Sequence, residues 1–370
     1  MRNIVITGAN GQLGQFLIKY LLEKEPELEI IGTIRHKSYD NQKYIFDRSK
    51  IKLELMDLSD SHSIENIILK YKPNYFVNTA ANAYVGESWK VPIQQFELNT
   101  LGVLHQLESI RKHSPHTRYF NMGTSEEFGN DNNDGKLQDE NTLINPKSPY
   151  GCSKAASRYL INTYRRSYNL YALQGWTFNF ESELRGEKYV TKKITKGVAR
   201  IYHAIINNQK FEPIELGNLE SVRSWQFCGD VADGVWRMLN QELFWASKGD
   251  WNYIVSRIKP YVMSASSCHT IKEFVELSFQ KAQIIEGQWY NSGKNEFYGI
   301  SYNDDCGNPR YIKHHLVRIN PEFLRLQDVT YLNGDASNIR NDLGWKSTLT
   351  FEELVDRMVK HDIENYVKEN

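Results

Sequence analysis

Cysteine is scarce in this chain of 370 residues, limited to Cys152, Cys228, Cys268 and Cys306. They are scattered without metal-ligand spacing or a paired framework, which suits a reducing compartment and four inert thiols. An excess of one charge is also missing, because 45 Lys and Arg balance 45 Asp and Glu. Composition therefore gives no support to a nucleic-acid or membrane-surface partner, and any anionic ligand must be met by local groups. No apolar run reaches the ~20 residues of a membrane helix. No apolar leader precedes the first strand-like segment, so a cytoplasmic protein is expected. There is no internal repeat or low-complexity tract. His314-His315 has no third ligand at metal spacing, and no metal is expected. The length allows one large or two ordinary domains with a proper core.

What is present is an alternation of strand and helix signals. Asn3-Ile4-Val5-Ile6-Thr7 is a β-branched run of the kind buried in a parallel sheet, and it breaks at once into Gly8-Ala9-Asn10-Gly11-Gln12-Leu13-Gly14. An amphipathic helix follows, with Phe16, Leu17, Tyr20 and Leu21 on one face, and it stops before Pro26. A glycine turn in that context lets the backbone approach a pyrophosphate while the helix N-terminus favours its charge. Gly8, Asn10, Gly11, Gln12, Leu13 and Gly14 are thus the expected loop contacts of a dinucleotide. The second strand, Leu28 to Ile34, ends in Arg35-His36-Lys37, where an NAD site would place an acid for the ribose diol. A cationic cluster there suits a 2′-phosphate and favours NADP; the alternative is a solvated basic loop. The third strand, Ile51 to Met56, ends in Asp57-Leu58, positions suited to the adenine. Helix Ser59 to Tyr71 and strand Tyr75 to Thr79 lead to Ala80, Ala81 and Ala83, small enough to let a cofactor lie close. A helix from about Pro92 to Lys112 and a strand from Arg118 to Met122 continue the pattern. The expected fold is α/β, a Rossmann-type doubly wound parallel sheet followed by a smaller C-terminal α/β domain.

The fifth strand delivers Gly123-Thr124-Ser125-Glu126, and the carboxyl ends of strands in such sheets are where ligands sit. Ser148-Pro149 reads as a helix start that places Tyr150 and Lys154 four apart on one face. An ammonium beside a phenol is expected to lower the tyrosine pKa towards the range of a general base. The spacing alone means little, since it recurs at Tyr20/Lys24, Tyr39/Lys43, Tyr189/Lys193 and Tyr290/Lys294. The glycine turn and the strand-end Thr124 make it a dehydrogenase-type site. The competing bland readings are Thr124 as a turn cap, Glu126 as a solvated acid, Asn179 as a turn former, and Arg223 and Arg325 in surface ion pairs.

Taken together, these residues make the chain resemble the extended short-chain dehydrogenase/reductases, and among them the GDP-mannose 4,6-dehydratase family. The matching runs are Thr7-Gly8 through Gly14, Asp57-Leu58-Ser59-Asp60, Gly123-Thr124-Ser125-Glu126, Ser148-Pro149-Tyr150 with Lys154, Phe178-Asn179 with Glu181-Ser182, and Arg185-Gly186-Glu187 with Tyr189 through Thr195. Leu216-Gly217-Asn218, Arg223 with Trp225, Arg325 with Asp328, and Leu343-Gly344-Trp345 match further on, and the likeness is weakest from about Glu242 to Ile319. Thr-Ser-Glu is the discriminating triplet, because related epimerases generally lack the glutamate and dTDP-glucose dehydratases usually carry Thr-Asp-Glu.

The resemblance implies that Thr124, Glu126, Tyr150 and Lys154 are catalytic, with Glu126 the acid/base, and that Lys154 and Arg185 contact the cofactor. It implies a nucleotide-sugar site that includes Ser125, Asn179, Lys193, Arg223, Arg325 and Asp328. The implied reaction is an internal redox dehydration with tightly bound NADP, in which C4 is oxidised, water leaves across C5 and C6, and C6 is reduced. A homodimer through the Pro92–Lys112 and Tyr150–Tyr168 helices is implied as well, with a tetramer as the alternative. The chain departs from the family at His36, Phe180 and Glu183-Leu184, where a second arginine, a histidine and Pro-Arg are usual. The expected domains are residues 1–178, with 222–248 packing back on them, and residues 179–221 with 249–370. Rival readings are a dehydratase of another nucleotide sugar (GDP-heptose, UDP- or dTDP-hexose), a nucleotide-sugar epimerase, and a non-catalytic NADP-sensing protein.

Overall fold

The computed structural model describes residues 2–36, 43–129, 136–247, 249–284, 287–291, 293–303, 309–324, 327 and 329–369. The first half runs β1 (Asn3–Thr7), α1 (Gln12–Lys24), β2 (Glu29–Ile34), β3 (Lys52–Leu55), α2 (Ser61–Tyr71), β4 (Tyr75–Asn78), α3 (Val85–Ser88), α4 (Pro92–Phe96), α5 (Gly102–His113), β5 (Arg118–Met122), α6 (Pro149–Tyr168) and β6 (Ala172–Thr177). The second half contributes β7 (Phe180–Glu181), α7 (Val190–Ile206), β8 (Ile214–Leu216), β9 (Val222–Arg223), β10 (Gln226–Phe227), α8 (Cys228–Leu239), α9 (Trp251–Arg257), β11 (Val262–Met263), β12 (His269–Thr270) and α10 (Ile271–Lys281). It closes with β13 (Gly287–Tyr290), β14 (Phe297–Asn303), β15 (Pro309–Ile319), β16 (Tyr331–Leu332), α11 (Ser337–Leu343) and α12 (Phe351–Glu369).

Seven parallel strands form the main sheet in the order β11-β6-β5-β4-β1-β2-β3. β4 and β6 are buried at every position, as strands covered on both faces must be. The chain reverses its direction of winding between β1 and β4, which opens a crevice at their carboxyl ends. One face of the sheet shares a core with α1, α8 and α11 that includes Trp236 and Trp345. The other face packs on α2, α5 and α6 through Ile64, Leu107 and Ile161. A separate core joins α7, α10 and α12 to the four-stranded sheet β13-β14-β15-β8. Trp225 belongs to that core, stacked on Phe351 and edge-on to Phe274, so this ring fills space.

The single helix expected from Pro92 to Lys112 is α4 and α5 joined by a π turn at Glu97–Leu101. The wider turn sets Asn99 so that its Nδ2 donates to the Asn82 carbonyl (3.0 Å), Gln95 Oε1 (2.9 Å) and Ser153 Oγ (3.1 Å). Among the described residues no helix is long and apolar enough to cross a membrane.

Candidate active site

Helix α6 begins where the sequence places it: Ser148 Oγ accepts from the Gly151 N–H at 3.1 Å, and Pro149 occupies the first turn without losing a bond. That start fixes the face on which Tyr150 and Lys154 are buried beside the carboxyl end of β5. Lys154 Nζ donates to the Met122 carbonyl at 2.9 Å. The next residues form a 3-10 turn, Ser125–Glu127, capped by Thr124, whose Oγ1 accepts from the Glu126 N–H at 3.3 Å. Thr124 is therefore a cap and a site residue at once, because its hydroxyl is also hydrogen-bonded to the Tyr150 phenol. Ser125 and Glu126 are buried, so Glu126 is not a solvated loop acid.

The electrostatics differ from the sequence expectation. Burial pushes the Tyr150 phenol above its ordinary range, and the charges of Glu126 and Glu127 and the Tyr189 phenol push the same way against the Thr124 hydrogen bond. The same burial pushes Lys154 down to about 8, opposed by Glu127. Lys154 thus does not lower the Tyr150 pKa in this state of the chain, because low dielectric disfavours the charged form of both groups.

Sequence reasoning missed the polar network beneath this pair. Glu127 is wholly buried, and its Oε1 accepts from the Thr124 N–H (3.0 Å) and Gln174 Nε2 (3.1 Å), while Oε2 accepts from Arg158 Nε at 2.5 Å. Arg158 also donates to the Gln174 carbonyl at 2.6 Å and lies 3.5 Å over the Trp176 ring. The available signal was spacing, since Arg158 continues the Tyr150–Lys154 stripe by one more turn.

The glycine turn has the shape of a cradle. Gly8 has φ +64°, and a Cβ at Gly14 would stand 2.2 Å from the Gly8 carbonyl oxygen, so α1 can sit this close only on glycine. Helix α1 has no side-chain cap and no acid in its first turn, leaving the N-terminal N–H groups directed at whatever the turn holds. That donor set fits a pyrophosphate. Asn10 lends its carbonyl to Gln15 Nε2 (3.1 Å), and Leu13 is buried in the core. The Gln12 side chain is used inside the protein, donating to the Phe180 carbonyl (3.2 Å) and accepting from Ser182 Oγ (2.8 Å), so only its backbone N–H is left for the loop.

Arg35 and His36 are exposed just past β2, and Lys37 lies outside the described residues. Asp57 Oδ1 accepts from the Ser59 N–H (2.9 Å) and hydroxyl (2.8 Å), and Leu58 is buried. Ala80 lies against Gly8, with Ala81 and Ala83 on the loop that follows β4. Arg185 Nε pairs with Glu181 at 3.1 Å, and its guanidinium lies 3.6 Å over the Tyr189 ring. Glu181 itself is pushed up by burial.

On the side of the second core, Asn179 Oδ1 is buried with no hydrogen-bond partner, while its carbonyl accepts from the Gln226 N–H at 2.9 Å. Lys193 Nζ sits 3.9 Å over the Phe323 ring, lowered in pKa by burial. Arg223 is buried rather than on the surface and donates to the carbonyls of Val222 (2.9 Å) and Val329 (2.6 Å). Arg325 and Asp328 lie outside the described residues. Among the described residues no group of three His, Cys, Asp or Glu could hold a metal ion.

A glycine turn at the switch point of a doubly wound sheet, with Thr124, Tyr150 and Lys154 at the end of β5, defines the short-chain dehydrogenase/reductase class. Within it the chain belongs to the GDP-mannose 4,6-dehydratase family, whose sequence model matches residues 5–358. A GDP-mannose 4,6 dehydratase of Drosophila melanogaster is 35% identical over 97% of this chain and 86% of its own length. One from Arabidopsis thaliana is 32% identical, covering 97% of this chain and 89% of its own. A solved dTDP-glucose 4,6-dehydratase of Bacillus anthracis, in complex with NAD, shares the fold with a TM-score of 0.73 at 18% identity, covering 99% and 98% of the two chains.

Proposed function

We propose that this chain is an NADP-dependent GDP-mannose 4,6-dehydratase that makes a 4-keto-6-deoxy sugar nucleotide by internal oxidation, loss of water and reduction. The observation that carries the reading is Glu126, a carboxylate buried at the strand end beside the Thr124–Tyr150 pair, in a chain whose relatives bear this name. A dinucleotide bound at the glycine turn would accept the hydride lost from C4 and give the same hydride back at C6. Gly8, Asn10, Gly11, Gln12, Leu13 and Gly14 hold its pyrophosphate, Ala80, Ala81 and Ala83 flank it, Asp57 and Leu58 meet the adenine, and Lys154 and Arg185 reach towards its inner half.

Tyr150 Oη takes the proton of the sugar 4-hydroxyl, and Thr124 holds the same oxygen. A positively charged ring held at the glycine turn would bring the raised phenol pKa back towards the working range, an effect that Lys154 would support in its ammonium form. The 4-carbonyl acidifies C5–H, so Glu126 takes that proton and delivers it to the C6 hydroxyl, which leaves as water. The proton count closes when C5 regains one, matching the proton that Tyr150 removed. Ser125, Asn179, Lys193 and Arg223 face the nucleotide sugar, together with Arg325 and Asp328.

Arg35, His36 and Lys37 select the 2′-phosphate; titration with NADP and NAD that gave equal affinity would remove that part of the reading. We place the dinucleotide in the body built by residues 1–178 with 222–248, which β11 and α11 also join, and the sugar nucleotide against residues 179–221 with the rest of 249–370. The exposed apolar residues Ile93, Leu101 and Tyr159 on α4, the π turn and α6 support a homodimer through these helices, which sedimentation velocity tests.

The decisive experiment incubates the protein with GDP-mannose, GDP-heptose, UDP- and dTDP-sugars and weighs the products. GDP-mannose should lose 18 Da, about one water. In Glu126→Gln, oxidation at C4 persists while water loss falls by about two orders of magnitude or more; unchanged dehydration would sink the role given to Glu126.

A further inference from the structure

The catalytic helix does not end its work at the acid–base pair. Tyr150, Lys154 and Arg158 stand at successive i, i+4 positions on α6, all buried. Opposite them, the turn after β5 carries Glu126 and then Glu127. A carboxylate with no exposure is tolerated only when paired and hydrogen-bonded, and Glu127 uses both oxygens: both accept from Arg158, and Oε1 accepts from Gln174 and the Thr124 N–H as well. Two of those links lead into the chemistry. The bond to the Thr124 N–H fixes the backbone of the residue whose hydroxyl meets Tyr150. Gln174, held by Glu127, donates its other amide hydrogen to the Lys154 carbonyl at 2.8 Å.

The same network reaches the glycine turn. Asn121 Nδ2 donates to Gln174 Oε1 (2.6 Å), Asn78 Nδ2 to Asn121 Oδ1 (2.7 Å), and Thr7 Oγ1 to Asn78 Oδ1 (2.6 Å). A buried chain of amides thus crosses β6, β5, β4 and β1, from Glu127 to the residue before Gly8. By contrast, the acceptor on the Lys154 ammonium is a neutral carbonyl, that of Met122.

We propose that Glu127, locked by Arg158 and Gln174, is a positioning residue that keeps the buried Lys154 ammonium charged and aligns Thr124 for proton transfer at Tyr150. The titratable and charged groups facing this point are Tyr150 and Arg158 on α6, Glu126 and Glu127 on the turn after β5, and Tyr189 just before α7. Of these, Glu127 is the one that acts on Lys154 against burial. An ion pair that served only to hold α6 on the sheet would leave proton chemistry alone, and this difference is measurable. The turnover part of the test rests on the dehydratase reading; the titration part does not.

The experiment compares full-length wild type with Glu127→Asp, Glu127→Gln and the double variant Glu127→Met/Arg158→Met. Glu127→Gln leaves a buried guanidinium unpaired and is at risk of misfolding, whereas the double variant removes both charges together. Lys154 is first titrated by NMR on 15N-lysine-labelled protein, its signal assigned by its loss in Lys154→Met. Its pKa should drop by about one unit or more in the double variant and stay near wild type in Glu127→Asp. With GDP-mannose, kcat of the double variant should fall about tenfold with little change in KM. The alkaline limb of its pH profile should move down with the Lys154 titration. A folded double variant with wild-type Lys154 titration and a wild-type pH profile overturns the proposal. If the wild type leaves GDP-mannose unchanged, the sugar reading fails, and the titration still decides the role of Glu127.

Discussion

Gly14 illustrates how closely single residues are constrained where the helix α1 and the glycine turn meet. Alanine there would put a methyl group 2.2 Å from the Gly8 carbonyl, so α1 must lift away from the turn. Overpacking of this kind costs about 1–3 kcal/mol, and Gly14→Ala should lower the urea midpoint and weaken dinucleotide binding together. A variant with wild-type affinity in a fluorescence titration would show that the close approach is not required. At this scale much of the site was legible in the sequence. Thr124, Tyr150 and Lys154 were readable because strand ends and helix spacing fix where side chains meet. The direction of the Tyr150 shift was not readable, since it depends on burial that no local pattern encodes. Arg158 was passed over for a similar reason: an arginine in mid-helix reads as surface until the partner that buries it, Glu127, is seen.

Among the elements, α7 and α12 show how the second core holds the helix that bears Lys193. Lys192 Nζ meets the Asp362 carboxylate and the Glu183 carbonyl (3.0 Å), and Thr195 Oγ1 donates to Asp362 Oδ2 at 2.7 Å. Burial pushes the Asp362 carboxyl up, but the His361 hydrogen bond and the Lys192 charge outweigh it and hold the group below the usual carboxylate range. A depressed carboxylate contributes stability above its unfolded pKa of about 4 and loses it as pH falls through the lower folded value. Lys192→Met should therefore cost about 3–5 kcal/mol near neutrality and blunt the loss of stability in acid, both read from urea midpoints between pH 3 and 7. Equal acid sensitivity in variant and wild type would rule the latch out. Element type was readable from periodicity through the first half. The π turn at Glu97–Leu101 was not, because its one-residue excess leaves the apolar spacing of α4 and α5 almost unchanged. Nor was the pairing of β14 with β15, which has three register shifts.

For the molecule as a whole, the Gln12 amide bridges the glycine turn to Phe180 and Ser182, beside Phe227, which packs against both cores. No local pattern points to the bridge, because Gln12 and Ser182 lie 170 positions apart. On the proposed function, this bridge should link the binding of the two ligands. Whatever free energy the dinucleotide gains by ordering the turn is shared with the segment that carries Asn179 and Arg185, and linkage requires the sugar nucleotide to return the favour by the same factor. Calorimetric titration of each ligand in the absence and presence of the other should give equal ratios of dissociation constants, and Gln12→Ala should bring both ratios towards one. The protein would then load its ligands as an interdependent pair.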